Sequence, residues 1–95
     1  MKWLEEIRVR TQPRKEREVG HVLMEVAASL TPHDGLREVR VCSHVSSPGT
    51  LSLILTWDTA SVPVRGSETA LLILDGLKRL GLIDHAVLVE KKRRK

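Results

Sequence analysis

The sequence predicts an α+β domain of the ferredoxin-like type, with elements in the order strand, helix, strand, strand, helix, strand. Apolar residues alternate with polar ones in four segments, which is the period of a β-strand. In two intervening segments they recur every three to four residues, which is the period of a helix. Turn sequences rich in Pro, Gly and Ser separate these segments. The expected architecture is therefore a four-stranded antiparallel sheet with two helices on one face.

Length and charge limit what the chain can be. Its 95 residues suffice for one domain, expected over residues 1–90, but not for two independent cores. Residues 91–95 are all Lys or Arg and carry five positive charges, whereas the net charge of the whole chain is +4. Residues 1–90 are therefore nearly neutral. We expect the basic end to be a disordered tail.

The first half of the chain contains the first two strands and the first helix. Residues 3–11 alternate, and residues 14–30 carry one apolar stripe at helical spacing, after Pro13 at a position where a helix can begin. Residues 36–45 alternate again. The short Ser-Ser-Pro-Gly connection at residues 46–49 predicts that the next strand pairs antiparallel with this one.

The second half repeats the strand-helix-strand order of the first. Residues 51–59 predict a buried strand, and residues 60–66 a loop. Ser67 is a favourable N-cap for a helix over residues 67–80, which has more apolar residues than one sheet face needs. Residues 85–90 are expected to form the closing strand.

The alternation divides the strand residues between two faces of the sheet. The face toward the helices is expected to include Trp57 and Leu88. The opposite, open face is expected to carry Leu4, Glu6, Arg8, Arg10, Glu38, Arg40, Cys42, His44, Ser52, Ile54, Thr56, His85, Val87 and Val89. Because Leu4, Ile54, Val87 and Val89 would otherwise form an exposed apolar patch, we expect a second copy to pack against this face. An open face in contact with water is the alternative.

Three stretches of the chain resemble a known superfamily. The matching stretches are Leu-Ser-Leu-Ile-Leu-Thr-Trp at residues 51–57, the Gly66-Ser67 entry to the second helix, and residues 77–87. They are similar to the dimeric α+β barrel proteins of the antibiotic-biosynthesis-monooxygenase-like superfamily. The resemblance covers most of the chain as an order of elements. It implies a homodimer whose sheets pack face to face into a closed barrel, with the open faces inside.

The resemblance also implies a range of activities, from cofactor-free oxidation of phenolic substrates to haem degradation. The haem-degrading members rely on an Asn, a Trp and a His, and this chain has no Asn. Haem is therefore disfavoured, and no other cofactor is predicted. The histidines lack the spacing of metal ligands, so no metal site is predicted either. If the chain is an enzyme, a monooxygenase-like activity without a bound metal is implied, but the residues leave open whether it is one.

The candidate site residues lie mainly on the predicted open face. Those that could bind a small organic anion are Arg8, Arg10, Arg40 and His44. Arginine presents a fork of donors to carboxylates and phosphates, although ion pairs with neighbouring glutamates are the alternative. The catalytic candidates are His44, His85 and Trp57. Histidine titrates near neutrality and can act as a base. A β-bulge near the end of the strand could orient the tryptophan side chain toward a pocket.

Three functions remain open from the sequence. The first is a homodimeric barrel that binds or oxidises a small organic molecule in a pocket on the open face. The second is a structural or regulatory dimer without such a site. The third, nucleic-acid binding, is disfavoured because the folded body is nearly neutral and the open face has no aromatic residue for base stacking.

The cellular setting follows from two simple features. No apolar run approaches the roughly 18–20 residues that span a bilayer, so no membrane partner is expected. Cys42 is the only cysteine, which excludes an internal disulfide and favours the cytoplasm.

Overall fold

The computed structural model describes residues 1–92 and confirms the predicted fold class. The strands are β1 (Lys2–Arg10), β2 (Leu36–Ser43), β3 (Thr50–Asp58) and β4 (Leu82–Leu88), and the helices are α1 (Glu16–Ser29) and α2 (Glu68–Leu77). Across these residues the strands form a four-stranded sheet in the order β2-β3-β1-β4, and all neighbours are antiparallel. This is the predicted ferredoxin-like arrangement.

Both helices cover the same face of the sheet. α1 lies over β2 and β3, and α2 lies over β1. One hydrophobic cluster includes Leu23 from α1, Ala70 from α2, and Ile7 and Leu53 from the sheet, and each of these four is 0% exposed. The helix-facing side of the sheet is therefore the interior of the domain, and the other side is open.

α2 begins where the sequence predicts a cap. The Ser67 hydroxyl accepts a hydrogen bond from the backbone N–H of Ala70 at 3.0 Å, which satisfies one free donor of the first turn. Leu77 is buried at the other end, whereas Leu71 and Leu72 on the outer side are 52% and 80% exposed. The surplus of apolar residues in α2 therefore reaches the surface.

The closing strand differs from the prediction in the faces of its residues. We expected Leu88 to face the helices, and His85, Val87 and Val89 to lie on the open face. In the structure His85 pairs with Ile7, so it faces the helices, as does Val87. Leu88 pairs with Leu4 on the open face. The predicted orientation of this strand is therefore wrong.

The physical reason is that residues 82–89 have apolar side chains at both odd and even positions. Alternation alone cannot choose between the two faces in such a segment. The hydrogen-bond register with β1 makes the choice, and a shift of one residue exchanges the two sets of side chains. The strand also begins three residues earlier than predicted, at Leu82, and Val89 lies beyond its end.

The C-terminal segment is described only in part. Lys91 and Lys92 are exposed and have no regular secondary structure. The predicted tail covers residues 91–95, and its last three residues, 93–95, lie outside the described residues. Over residues 1–92, no helix has both the length and the apolar character required to cross a membrane.

Candidate functional site

A glutamate lies in the core of the domain. Glu5 is on the helix-facing side of β1, between Trp3 and Ile7 in the alternation, and its exposed fraction is 0%. Removing a carboxylate from water costs several kcal/mol unless donors or opposite charges surround it. The structure supplies such donors from three other parts of the chain.

The Glu5 carboxylate accepts four hydrogen bonds. Its Oε1 accepts from Trp57 Nε1 at 3.1 Å and from the Ser67 hydroxyl at 2.6 Å. Its Oε2 accepts from the backbone N–H of Ser67 at 2.9 Å and from His85 Nε2 at 2.7 Å. Four bonds fill the acceptor capacity of an ionised carboxylate, which has no proton to donate. An ionised Glu5 therefore pairs with a His85 that donates from Nε2. We call these four residues the Glu5 cluster.

The local sequence explains why the Glu5 cluster can form. Trp57 lies near the end of β3, Ser67 caps α2, and His85 lies within β4. Gly66 has a φ of +97°, and a Cβ there would lie 2.2 Å from His85 Cε1. Glycine is required at this position because no other residue combines that backbone conformation with so close an approach. The positive end of α2 also favours the carboxylate.

Trp57 is held from its other side by Trp3. The two rings are stacked, with centroids 5.4 Å apart and an interplanar angle of 11°. The Trp3 Nε1 donates to the Thr59 hydroxyl at 2.8 Å. Both rings are therefore oriented, so the Trp57 donor is held toward Glu5.

A second network lies on the open face. We call Glu6, Arg8, His44 and Ser52 the open-face network. The Ser52 hydroxyl donates to Glu6 Oε2 at 2.7 Å and lies 2.8 Å from His44 Nε2, so it accepts from that nitrogen. Arg8 donates to Glu6 Oε1 at 3.3 Å. Because the single proton of the Ser52 hydroxyl is donated to Glu6, His44 donates to Ser52 and is not placed as the base of a serine–histidine pair.

The pKa of Glu6 is lowered from its usual 4.5. Burial alone would raise this pKa, but the hydrogen bonds from Ser52 and Arg8, together with the positive charge of Arg8, outweigh that effect. The ionised form is thus favoured more strongly in the folded chain than in the unfolded one. Its stabilisation is present above about pH 4.5 and is lost as the pH falls through the lower folded value.

Replacing Ser52 by alanine should therefore raise the pKa of Glu6 toward its usual value and reduce resistance to acid unfolding. The hydrogen bond from Ser52 is the foremost of the contacts that lower this pKa. A carbon-detected NMR titration of the Glu6 carboxyl measures the change directly. Ser47→Ala is the control, because the Ser47 hydroxyl contacts that of Thr50 instead. An unchanged pKa in Ser52→Ala would contradict the described network.

The other arginines of the predicted anion site also lie beside carboxylates. Arg10 is 3.9 Å from Asp84, and the Arg40 guanidinium contacts Glu38. Their charges are thus compensated, as in the alternative considered from the sequence. Arg8 has one further feature, since its Nε is buried and has no hydrogen-bond partner within residues 1–92.

A groove of about 940 Å³ lies at one end of the open face. Leu4, Thr56 and Leu88 contribute from the three strands that meet there, and Lys2 and Lys91 also line it. The groove is open to solvent along one side. An apolar lining with ammonium groups suits a small organic molecule that carries an acidic group.

The structure separates the three catalytic candidates. Trp57 and His85 meet at Glu5 on the helix-facing side, whereas His44 is bonded to Ser52 on the open face. Trp57 is 5% exposed and lies where the alternation placed it. Catalysis by these residues and anion binding by the arginines remain predictions.

Glu5 is the residue that the sequence analysis did not single out. A signal for it exists, since it is a charged residue on the buried side of an otherwise apolar strand face. Such a residue requires buried partners, but the alternation does not show which ones. As for metals, residues 1–92 contain no group of three or more His, Cys, Asp or Glu that could hold an ion.

Solved structures with this fold include three informative examples. A candidate antibiotic biosynthesis monooxygenase from Deinococcus radiodurans has a TM-score of 0.66 at 14% identity, over 100% of this chain and 97% of that one. Rv0793 from Mycobacterium tuberculosis has a TM-score of 0.69 at 16% identity, over 100% of both chains. SnoaB from Streptomyces nogalater, a cofactor-independent oxygenase, has a TM-score of 0.53 at 13% identity, over 97% and 93%. No protein-family model and no curated protein matches the chain.

The chain therefore has the fold of antibiotic-biosynthesis-monooxygenase-like proteins, as the resemblance in its sequence predicted. At these identities the likeness concerns the fold. What the chain does must be argued from its own residues.

Proposed function

We propose that the protein is a homodimer that binds a small organic anion in the groove on the open face and oxidises it without a bound metal. The groove is the observation that carries this proposal. Its volume of about 940 Å³ lies within the range of small-molecule sites, about 300–1,000 Å³. SnoaB, a cofactor-independent oxygenase of the same fold, supports oxidation as the reaction class.

The apolar residues of the open face support the dimer. Leu4, Leu82 and Leu88 are 40%, 69% and 45% exposed, and all three lie on this face. Leaving them in water forgoes about 25 cal/mol for each Å² of apolar surface that packing would bury. A second sheet placed here would cover these residues and also close the open side of the groove. A cytoplasmic location belongs to the proposal, and the exposed, unpaired Cys42 thiol fits a reducing compartment.

The charges around the groove support an anion as the ligand. Arg8, Arg10 and Arg40 already contact carboxylates, so their charge is largely compensated. Lys2, Lys91 and Lys92 line the groove together with one carboxylate, that of Glu90, and none of these lysines forms an ion pair within residues 1–92. In the proposal these ammonium groups meet the acidic group of the ligand, and the leucines meet its apolar part.

A native mass spectrum of freshly purified protein tests the proposal. A dimer with additional bound mass is the expected result, and that mass identifies the ligand class. A dimer that remains bare after incubation with aromatic carboxylates would overturn the small-molecule site. A monomer at micromolar concentration would overturn the dimer.

Leu4→Glu is expected to raise the dimer dissociation constant about tenfold or more. Leu4 lies on the open face, and in a symmetric interface each substitution acts twice. Sedimentation equilibrium measures the change. Leu72→Glu introduces the same charge at an 80% exposed position on α2 and should leave the dimer intact. Equal dissociation constants for the two variants would place the interface elsewhere.

The compensated charges of the open face favour a second candidate function, a structural or regulatory dimer without a small-molecule site. With each arginine beside a carboxylate, the face can pack against its copy without an unpaired arginine. This candidate predicts a bare dimer in the mass spectrum. Nucleic-acid binding has less support, since both tryptophans are buried.

A further inference from the structure

Helix α2 has an outer side that the domain leaves uncovered. Its inner side packs on the sheet through Ala70 and Leu77, which are both buried. The outer side exposes residues that recur every three to four positions and so share one side of the helix. We call this set the α2 stripe: Glu68, Leu71, Leu72, Asp75, Gly76 and Arg79. Its two adjacent leucines are 52% and 80% exposed and add nothing to the core.

Gly76 is a glycine that the isolated domain does not need. Glycine within a helix is less stable than alanine. Apart from the adjoining backbone of α2, a Cβ at Gly76 would have no atom of residues 1–92 within 4 Å. By contrast, a Cβ at Gly81 would lie 2.3 Å from the carbonyl oxygen of Arg10. The missing side chain at Gly76 therefore serves no contact inside the domain, but it lets another molecule approach the helix backbone closely.

The α2 stripe carries opposite charges at its two ends. Glu68 is the first residue of α2, and Arg79 lies in the 3-10 turn that continues the helix. Neither forms an ion pair within residues 1–92, whereas Asp75 between them is 3.5 Å from Lys78. At 1.5 Å per residue the two free charges are about 16 Å apart along the axis. The leucines and the glycine lie between them.

This pattern is complementary to itself in the antiparallel orientation. Two identical helices related by a twofold axis bring together residues that lie equally far from the axis on its two sides. With the axis at the middle of the α2 stripe, Glu68 of each copy faces Arg79 of the other. Leu71 of each copy then faces Gly76 of the other, where its side chain finds backbone and no competing side chain.

We propose that the α2 stripe is a docking surface for a second copy of this chain, which pairs with it antiparallel about a twofold axis. Leu71 and Leu72 of both copies leave water, and two ion pairs flank them. One pair of short helices buries less than the roughly 1,200 Å² of a stable interface, so the complex is weak and forms at high protein concentration. The stripe points away from the sheet. The inference therefore does not rest on the proposed dimer, and the pairing can join two such dimers.

Sedimentation velocity of the full-length protein between about 10 µM and about 1 mM tests the inference. We expect the mass found at low concentration to double. Leu72→Glu should raise the dissociation constant of this doubling about tenfold or more, because each substitution acts twice in a symmetric contact. Met24→Glu is the control, since Met24 is 58% exposed on α1. Equal constants for the two variants, or no doubling of the wild type, would overturn the inference.

The same measurement separates this pairing from the proposed dimer of the open face. Leu4→Glu should change the mass at low concentration and leave the doubling unchanged. Leu72→Glu should do the opposite. Failure of one contact is therefore seen independently of failure of the other.

Exchange of the two charges tests the antiparallel register. Glu68→Arg and Arg79→Glu should each suppress the doubling, because like charges then face each other. An equimolar mixture of the two variants should restore it, since each chain supplies the charge that the other lacks. A helix that was merely weakened by substitution would not recover on mixing. No recovery in the mixture would contradict the proposed register.

Gly76→Ala gives a readout in which folding and pairing move in opposite directions. The variant should raise the urea midpoint, because alanine favours the helix. It should weaken the doubling, because its methyl group occupies the space that Leu71 of the second copy requires. An unchanged doubling would remove Gly76 from the contact and overturn the register. Leucine methyl NMR locates the surface directly, and shifts that follow the doubling at leucines of the open face would mean that the assignment to α2 is wrong.

Discussion

Glu5→Ala is expected to lower the free energy of unfolding by about 3–5 kcal/mol. The substitution removes an acceptor of four hydrogen bonds from a position that is 0% exposed. The Trp57 Nε1 and the backbone N–H of Ser67 then lose their buried acceptor, and a cavity remains. Urea unfolding followed by tryptophan fluorescence measures the loss, since Trp57 is itself part of the cluster.

The neighbouring residue provides the control for this prediction. Glu6→Ala is the same substitution one position along β1, on the open face. Its loss should be smaller, because Glu6 is partly exposed and accepts from two side chains, whereas Glu5 is 0% exposed and accepts four hydrogen bonds. Glu5→Gln should fall between wild type and Glu5→Ala, since it keeps the shape but places an amide donor against other donors. A loss for Glu5→Ala no greater than that for Glu6→Ala would contradict the described cluster.

Leu53→Ala is expected to cost about 2–5 kcal/mol. Leu53 is 0% exposed and pairs with Ile7 and Val41 in the centre of the sheet, beneath the helices. Removing its side chain leaves a cavity that the two flanking strands cannot fill. The same urea titration measures this loss as a change in midpoint with an unchanged slope.

Leu72→Ala is the matched control for the core substitution. Leu72 loses the same atoms but is 80% exposed on the outer side of α2. Its effect should be close to zero, because almost no buried contact is removed. Comparable losses in the two variants would mean that Leu53 is not at the centre of the core.

The fold was largely predictable because its signals are local. The alternation around Leu53 identifies β3, and Ser67 marks the start of α2 within one residue. The short connection between β2 and β3 predicts their antiparallel pairing, which the structure confirms. Each of these signals depends on residues close together in the chain.

The candidate site was predictable only in its separate members. His85 and Trp57 stood out by residue type, but the alternation placed them on opposite faces of the sheet. Glu5 was visible as a charge on an apolar strand face, without an identifiable partner. His85 is 80 residues away from Glu5 in the chain, so no local pattern links the two.

The sequence by itself determined the elements, their order and the faces of the first three strands, because periodicity is a property of consecutive residues. The tertiary structure alone decided the face of β4 and the composition of the Glu5 cluster. Residues 82–89 have apolar side chains at both parities, so only hydrogen bonding to β1 selects the residues that turn inward. That register brings His85 to Glu5, and the buried carboxylate then requires the donors that surround it.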